Sequence, residues 1–193
     1  MTATVAQEFI DQLAELGAHV DELDLYRSGF DSILHTPDEP DWEDPNKHYS
    51  TAVHEHAART LAATAVVFVF PVWWYSLPAL LKGYIDRVWN YGLFYGGAKD
   101  HGITAVRWVG LAGHPREAFQ KRGYDRMMAH HLNIGIAQYC GVRDSRLELL
   151  YNTLGDNISD MPNHIENLVD TARASAVELM NDVQYQQQFS QVR

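Results

Sequence analysis

The chain has 193 residues and a formal net charge of −10, with 46% hydrophobic and 21% charged residues, a composition typical of a globular domain. The acidity argues against nucleic acid and anionic membranes as partners, and the sequence contains neither a bilayer-spanning apolar run nor a secretory signal. The single Cys140 excludes an internal disulfide and no spacing fits a metal site, so we expect one cytoplasmic domain over residues 1–193.

The amino-terminal part of the chain predicts a helix, a short strand and an irregular loop. Apolar residues three and four apart share one helical face before a terminating glycine: Val5, Phe9, Leu13, Leu16 and Gly17. Residues 19–25 alternate like a short strand. The proline-rich residues 38–46 are typical of an irregular loop at the surface.

The most informative stretch follows a helix predicted over about residues 50–63. Residues 65–70 are continuously apolar, which is typical of a strand buried on both faces of a parallel sheet. Three aromatic residues then follow Pro71, and Pro78 opens a helix with a broad apolar face. Because open α/β sheets bind ligands at their carboxyl edge, the aromatic segment predicts a wall for a flat ring. The alternative is a hydrophobic loop that packs on its own domain.

The rest of the chain continues this alternation of strands and helices. Residues 103–111 predict a buried strand that Arg107 interrupts, residues 124–139 a helix, and residues 146–151 an edge strand. A long terminal helix begins behind Pro162. These elements predict an α/β fold in which helices cover both faces of a parallel sheet.

Residues 70–88 resemble the signature of the flavodoxin-like NAD(P)H:quinone oxidoreductases. They read Phe-Pro-Val-Trp-Trp-Tyr-Ser-Leu-Pro-Ala-Leu-Leu-Lys-Gly-Tyr-Ile-Asp-Arg-Val, and a looser likeness extends through residues 92–96 and 139–142. The resemblance implies a flavodoxin-like sheet of strand order 2-1-3-4-5.

The amino terminus departs from that pattern. The chain opens directly on a helix, so the first strand is missing, and the predicted strand at residues 19–25 has no neighbour. We therefore expect the natural protein to have a longer amino terminus, cut short here by a late start codon or a truncation. If the chain is complete, flavin affinity should be greatly weakened.

The resemblance also implies which residues bind the cofactor, FAD or FMN. Backbone amides after the third strand would contact the polar edge of the flavin ring, at Pro71, Val72, Trp73, Trp74 and Tyr75. A second flavin loop falls on Gly110, Leu111, Ala112 and Gly113, where the family usually has Thr-Thr-Gly-Gly. Thr2 is the surviving candidate for contact with the flavin phosphate. Thr4 could instead be an N-cap, with Gln7 completing a capping box.

The resemblance implies a ping-pong reaction with NAD(P)H as co-substrate. A quinone or another planar electrophile would accept two electrons in the slot that nicotinamide has left. Phe94 and Tyr95 would lie over the open face of the flavin, with packing against the domain as the alternative. Tyr124 and His114 are the available equivalents of a tyrosine and a histidine that assist hydride transfer in animal relatives, although an exposed loop histidine is the commoner finding.

Two other functions stay open at this point. Relatives include ancillary subunits of potassium efflux systems, so the chain could be a regulatory subunit with a membrane transporter as its partner. It could also be a degenerate flavodoxin-like domain without cofactor. The family resemblance implies a homodimer, for which the aromatic stretch 91–95 is the candidate interface.

Overall fold

The computed structural model describes residues 1–97 and 101–190, in which helices and strands alternate. The helices are α1 (Thr2–Glu15), α2 (Thr51–Leu61), α3 (Ala79–Val88), α4 (Arg116–Gln120), α5 (Tyr124–Ala129) and α6 (Met161–Ser190). The strands are β1 (Ala65–Pro71), β2 (Ala105–Leu111) and β3 (Asp144–Leu150). A 3-10 turn, Thr36–Asp38, precedes α2, and a π-helical segment, His130–Gln138, replaces the second half of the helix predicted over residues 124–139. None of the described helices has the length and apolar character that a membrane span requires.

The three strands form a parallel sheet in the order β1-β2-β3. The register begins with Ala65 beside Ala105 and Ala105 beside Asp144. All seven residues of β2 are buried, because it is the central strand and both its faces are covered. This sheet confirms the predicted α/β architecture and the three strands predicted from residue 65 onward.

Helices cover the two faces of the sheet. Alternate residues of β2 point to opposite sides, so that Val106 and Trp108 join the core built with α3 and the π-helical segment. Val109 and Leu111 join the core built with α1 and α6. Helix α1 buries Val5, Phe9 and Leu13 as predicted, whereas Leu16, predicted on the same face, follows the last helical residue and is 39% exposed. The helix ends before Gly17, whose φ is +85°.

The strand predicted at residues 19–25 was wrong. In the described part of the chain these residues pair with no strand. A strand without a neighbour would leave its backbone N–H and C=O groups unpaired, so the segment does not form one. Side chains hold the segment instead. Asp21 accepts hydrogen bonds from Arg59 of α2, and Leu23 and Leu25 pack partly buried against the core with α3.

The loop predicted at residues 38–46 begins inside the protein and not at its surface. Asp38 is 1% exposed, and its carboxylate accepts hydrogen bonds from Arg87 Nη2 at 2.8 Å and from the Ser50 amide at 2.8 Å. Burial alone would raise the pKa of Asp38, but the hydrogen bonds from Arg87 and Ser50 outweigh it, and the pKa is lowered. The irregular segment is therefore anchored by a buried arginine of α3.

Arg107, which interrupts the apolar pattern of β2, is buried in a charge network. Its guanidinium donates to Asp144 at 3.0 and 3.1 Å and to Asp182 of α6 at 2.7 Å. Arg146 also pairs with Asp182, at 2.9 Å. These four residues, the Arg107 network, lie toward the amino end of the sheet and tie α6 to β2 and β3.

Candidate functional site

The chain turns sharply where β1 ends. Trp73 and Ser76 exchange two backbone hydrogen bonds, of 3.2 and 3.0 Å. Between them, Trp74 and Tyr75 both have left-handed backbone, with φ of 51° and 58°, as in a type I′ turn. Bulky residues seldom adopt this conformation, which costs about 1–3 kcal/mol for each residue. Residues 73–76 are called the aromatic turn below.

The aromatic turn leaves two backbone donors for a ligand. Pro71 has no N–H, the Val72 amide donates to the Leu111 carbonyl at 2.9 Å, and the Trp73 amide is used within the turn. No acceptor among residues 1–97 and 101–190 contacts the N–H groups of Trp74 and Tyr75. Of the five residues predicted to contact the flavin through backbone amides, Trp74 and Tyr75 therefore have N–H groups that meet no acceptor in the described chain.

Two side chains of the aromatic turn are exposed to solvent, and a third, Tyr75, joins an aromatic cluster with Phe119, Tyr124 and Tyr151. Trp73 is 60% and Trp74 92% exposed. Tyr75 stacks on Tyr124 with a centroid separation of 3.6 Å and an interplanar angle of 19°, and the edge of Phe119 lies 5.5 Å away. The structure thus brings together Tyr75, predicted to contact the cofactor, and Tyr124, predicted to be catalytic.

The predicted second flavin loop lies mostly beneath the surface. Gly110 and Leu111 belong to β2, and Ala112 is buried with its amide donating to the Leu150 carbonyl. A Cβ on Gly110 would lie 2.9 Å from Leu149 Cδ2 and 3.1 Å from Val72 Cγ2, so packing alone explains this glycine. Of the four predicted residues, Gly113 lies beyond the strand and is partly exposed.

His114 belongs to a different set of contacts from Tyr124. Its imidazole is largely exposed, with Nδ1 3.9 Å from Asp156 Oδ2. Its carbonyl accepts a hydrogen bond from the amide of Asn152, a residue with left-handed φ of 59°. These bonds hold the loop after β2 against the loop after β3.

Phe94 and Tyr95 occupy different environments. Phe94 is 1% exposed and lies parallel to Trp89 at 5.0 Å, so it belongs to the core and not to an open ring face. Tyr95 is partly exposed and contacts Trp42 and Tyr139, at 6.1 and 5.2 Å between ring centroids. Phe94 therefore follows the alternative stated for it, packing against its own domain, and does not lie over an open ring face.

Thr2 lies in the first turn of α1 and is half-buried. Thr4 is inside that helix, whose N-cap is Met1, so the alternative of a Thr4 capping box was wrong. Gln7 donates instead to Asp11, one turn further along the helix.

Sequence reasoning missed a cavity beside the aromatic cluster. It has a volume of about 310 Å³ and is lined by residues of α4, α5 and β3 together with Tyr151. The Arg116 guanidinium lies 4.8 Å from the centre of the Tyr151 ring. The sequence signal was a pair of arginines, Arg116 and Arg126, on either side of the aromatic residues Phe119 and Tyr124 after β2.

Comparisons with known proteins agree with this architecture. A family described as having the flavodoxin-like fold matches residues 1–175. YcaK of Escherichia coli K12, an uncharacterized NAD(P)H oxidoreductase, is 41% identical over 154 residues, covering 80% of this chain and 78% of that protein. Ribosyldihydronicotinamide dehydrogenase [quinone] of Pongo abelii is 29% identical over 157 residues, and the match covers 69% of this chain and 68% of that protein. The solved NAD(P)H:quinone oxidoreductase of Methanothermobacter marburgensis has a TM-score of 0.83 and 28% identity, covering 92% of this chain and 88% of that one.

Proposed function

The chain belongs to the flavodoxin-like quinone reductase family, and from that premise we propose that it reduces quinones or related planar electrophiles with NAD(P)H through a bound flavin. The aromatic turn is the observation that carries this proposal. Two bulky residues hold left-handed backbone at the carboxyl end of a parallel sheet, the edge at which such folds bind ligands. Strain kept at a ligand-binding edge favours a functional role over simple packing.

The aromatic turn fits a flavin in both shape and polarity. The N–H groups of Trp74 and Tyr75 supply donors for the polar edge of the ring, and the exposed Trp73 and Trp74 side chains supply flat apolar surface. Donors fixed in this way stabilise negative charge that develops on a redox ring. When bound, the flavin would supply the site that accepts a hydride and passes it on.

Two side chains are proposed to handle the accompanying proton. Tyr124 steadies the aromatic turn by stacking on Tyr75, and its hydroxyl would deliver the proton that the reduced quinone needs, with the exposed His114 imidazole as the second candidate donor. The balance is one hydride from NAD(P)H and one proton, giving hydroquinone and NAD(P)⁺. In the ping-pong order, NAD(P)⁺ leaves before the quinone enters the same slot.

A homodimer belongs to the same proposal. Trp42 and Tyr139 are 63% and 66% exposed, and the partly exposed Tyr91 and Tyr95 lie between them in continuous ring contact. Aromatic side chains are enriched at the centres of protein interfaces. This surface supports an interface that includes residues 91–95.

The test is to identify the cofactor extracted from the purified chain and to compare the wild type with a Trp73→Ala/Trp74→Ala variant. We expect FAD or FMN in the wild type and quinone-dependent oxidation of NAD(P)H. Stacking on an aromatic side chain is worth about 1–3 kcal/mol per ring, so the variant should bind flavin at least about tenfold more weakly. Tyr26→Ala, at a side chain that is 86% exposed, is the matched control. Unchanged flavin content and turnover in the double variant would contradict the proposal.

A further inference from the structure

We propose that the cavity beside the aromatic cluster is a second subsite, which binds a ribonucleoside phosphate. Five polar or aromatic side chains line it, those of Arg116, Asp125, Arg126, Glu148 and Tyr151. Leu149 of the edge strand β3 also lines it. Its volume of about 310 Å³ is that of a small-molecule site. The inference rests on the proposed function in one respect: during turnover the ligand is the adenosine-phosphate half of NAD(P)H.

Two guanidinium groups line the cavity, and one of them, that of Arg116, acts electrostatically on Glu148 without forming an ion pair in the described part of the chain. Within the described part of the chain, neither Arg116 nor Arg126 forms an ion pair, although the sequence has 25 acidic residues against 15 lysines and arginines. Arg107 and Arg173, by contrast, each pair with at least two carboxylates. Unpaired guanidinium groups in a concave site match the charge and geometry of a phosphate.

The same cavity offers acceptors for hydroxyl groups. Asp125 Oδ1 is buried, and no described residue donates a hydrogen bond to it. Burial raises the pKa of the nearby Glu148 carboxyl, with Arg116 acting in the opposite direction. A buried acceptor without a donor is costly, so the Asp125 carboxylate gains by turning toward a ligand that brings O–H groups. Ribose hydroxyls meet an acidic residue in this way in dinucleotide-binding folds.

The edge strand supplies backbone groups for a flat base. The Leu150 carbonyl accepts from Ala112, so Leu150 faces β2. Alternate residues of a parallel strand face opposite ways, which directs the N–H and C=O groups of Leu147 and Leu149 away from β2. No backbone or side-chain hydrogen bond within the described residues pairs these groups. They provide two donors and two acceptors along the wall of the cavity, as recognition of a base requires.

Ring contacts connect this cavity with the aromatic turn. Tyr75 lies 5.5 Å from Phe119, and Phe119 lies 5.4 Å from Tyr151, between ring centroids. Tyr75 and Tyr151 thus lie on either side of one buried ring, and this proximity supports placing the nicotinamide of a dinucleotide at the turn and its adenosine in the cavity. A free nucleotide has the same chemistry and is the other possible source of the ligand.

Titration calorimetry with 5′-AMP tests the cavity directly. The wild-type chain should bind 5′-AMP, and Arg126→Gln and Asp125→Asn should each weaken binding about tenfold to a hundredfold, since each removes a charged hydrogen-bonding group. Arg143→Gln is the matched control, because Arg143 is exposed and precedes the amino end of β3. Thermal unfolding verifies that each variant is folded. A wild type that does not bind 5′-AMP, or an equal loss in the control, overturns the proposal.

Steady-state kinetics distinguishes the two sources. Arg126→Gln should raise the KM for NADH or NADPH at least about tenfold more than the KM for N-benzyl-1,4-dihydronicotinamide, which has no adenosine. A fixed ratio of the two KM values, with weakened 5′-AMP binding, overturns the assignment to the hydride donor and supports a free nucleotide. Absence of turnover with both donors contradicts only the proposed function, because the 5′-AMP titration needs no flavin.

Discussion

The two ends of the parallel sheet treat their polar groups in opposite ways. Toward the amino end, the buried Arg107 is paired with Asp144 and Asp182, and each charge has a partner of opposite sign. At the carboxyl end, Trp74 and Tyr75 hold strained backbone and keep two N–H groups without an acceptor in the described chain. One end of the sheet is therefore stabilised by ion pairs within the chain, whereas the other end keeps hydrogen-bond donors that a ligand can use.

The largest expected effect concerns the paired end. Asp144→Ala removes two of the hydrogen bonds made by the buried Arg107 guanidinium but leaves its pair with Asp182, and removing one partner of a buried polar group costs about 1–3 kcal/mol. Urea unfolding should show this loss in the free energy of unfolding. Asp170→Ala, which removes an exposed partner of Arg173 on α6, should cost less than about 1 kcal/mol. An equally small loss for Asp144→Ala would remove the contrast between the two ends.

A smaller effect, of opposite sign, is expected at the strained end. Glycine adopts the φ of 51° found at Trp74 without steric cost, whereas alanine does not. Trp74→Gly should therefore be about 1 kcal/mol more stable than Trp74→Ala in flavin-free protein, while both variants lose the exposed ring. Unfolding of the two variants under identical conditions measures the difference. A Trp74→Gly protein less stable than Trp74→Ala would show that the turn stores no strain.

The smallest effect is a pH dependence beside the cavity. Burial raises the folded-state pKa of Glu148 above its unfolded value of about 4.5. The folded state therefore loses stability as the pH rises from that value through the folded pKa. Glu148→Gln should remove this loss, so the variant gains stability over the wild type as the pH rises through that window. Its advantage should disappear in acid, where the carboxyl is neutral in both states. A difference that stays constant with pH would contradict this reasoning.

Much of the fold could be predicted because its signals are local. The apolar run of β1, the single face of α1 and the proline before α3 each specify an element from neighbouring residues. The position of the aromatic segment at the carboxyl edge of the sheet followed from the order of these elements.

Features that depend on distant residues could not be predicted in the same way. The burial of Asp38 requires Arg87 from α3, and Phe94 is buried in a core that it shares with Val106 and Trp108 of β2. Residues 19–25 have strand-like alternation, but alternation does not supply the neighbour that a strand needs. The left-handed backbone of Trp74 and Tyr75 has no sequence signal, since neither residue favours it. The cavity combines α4, α5 and β3, which are separated along the chain.

The missing side chain of Gly110 has a mechanical consequence. The small gap above this glycine is closed by Val72, which leads into the aromatic turn, and by Leu149, which lines the cavity. Protein interiors are nearly incompressible, so a displacement of one of these side chains pushes against the other. Packing around Gly110 thus ties the segment that enters the aromatic turn to the strand that lines the cavity.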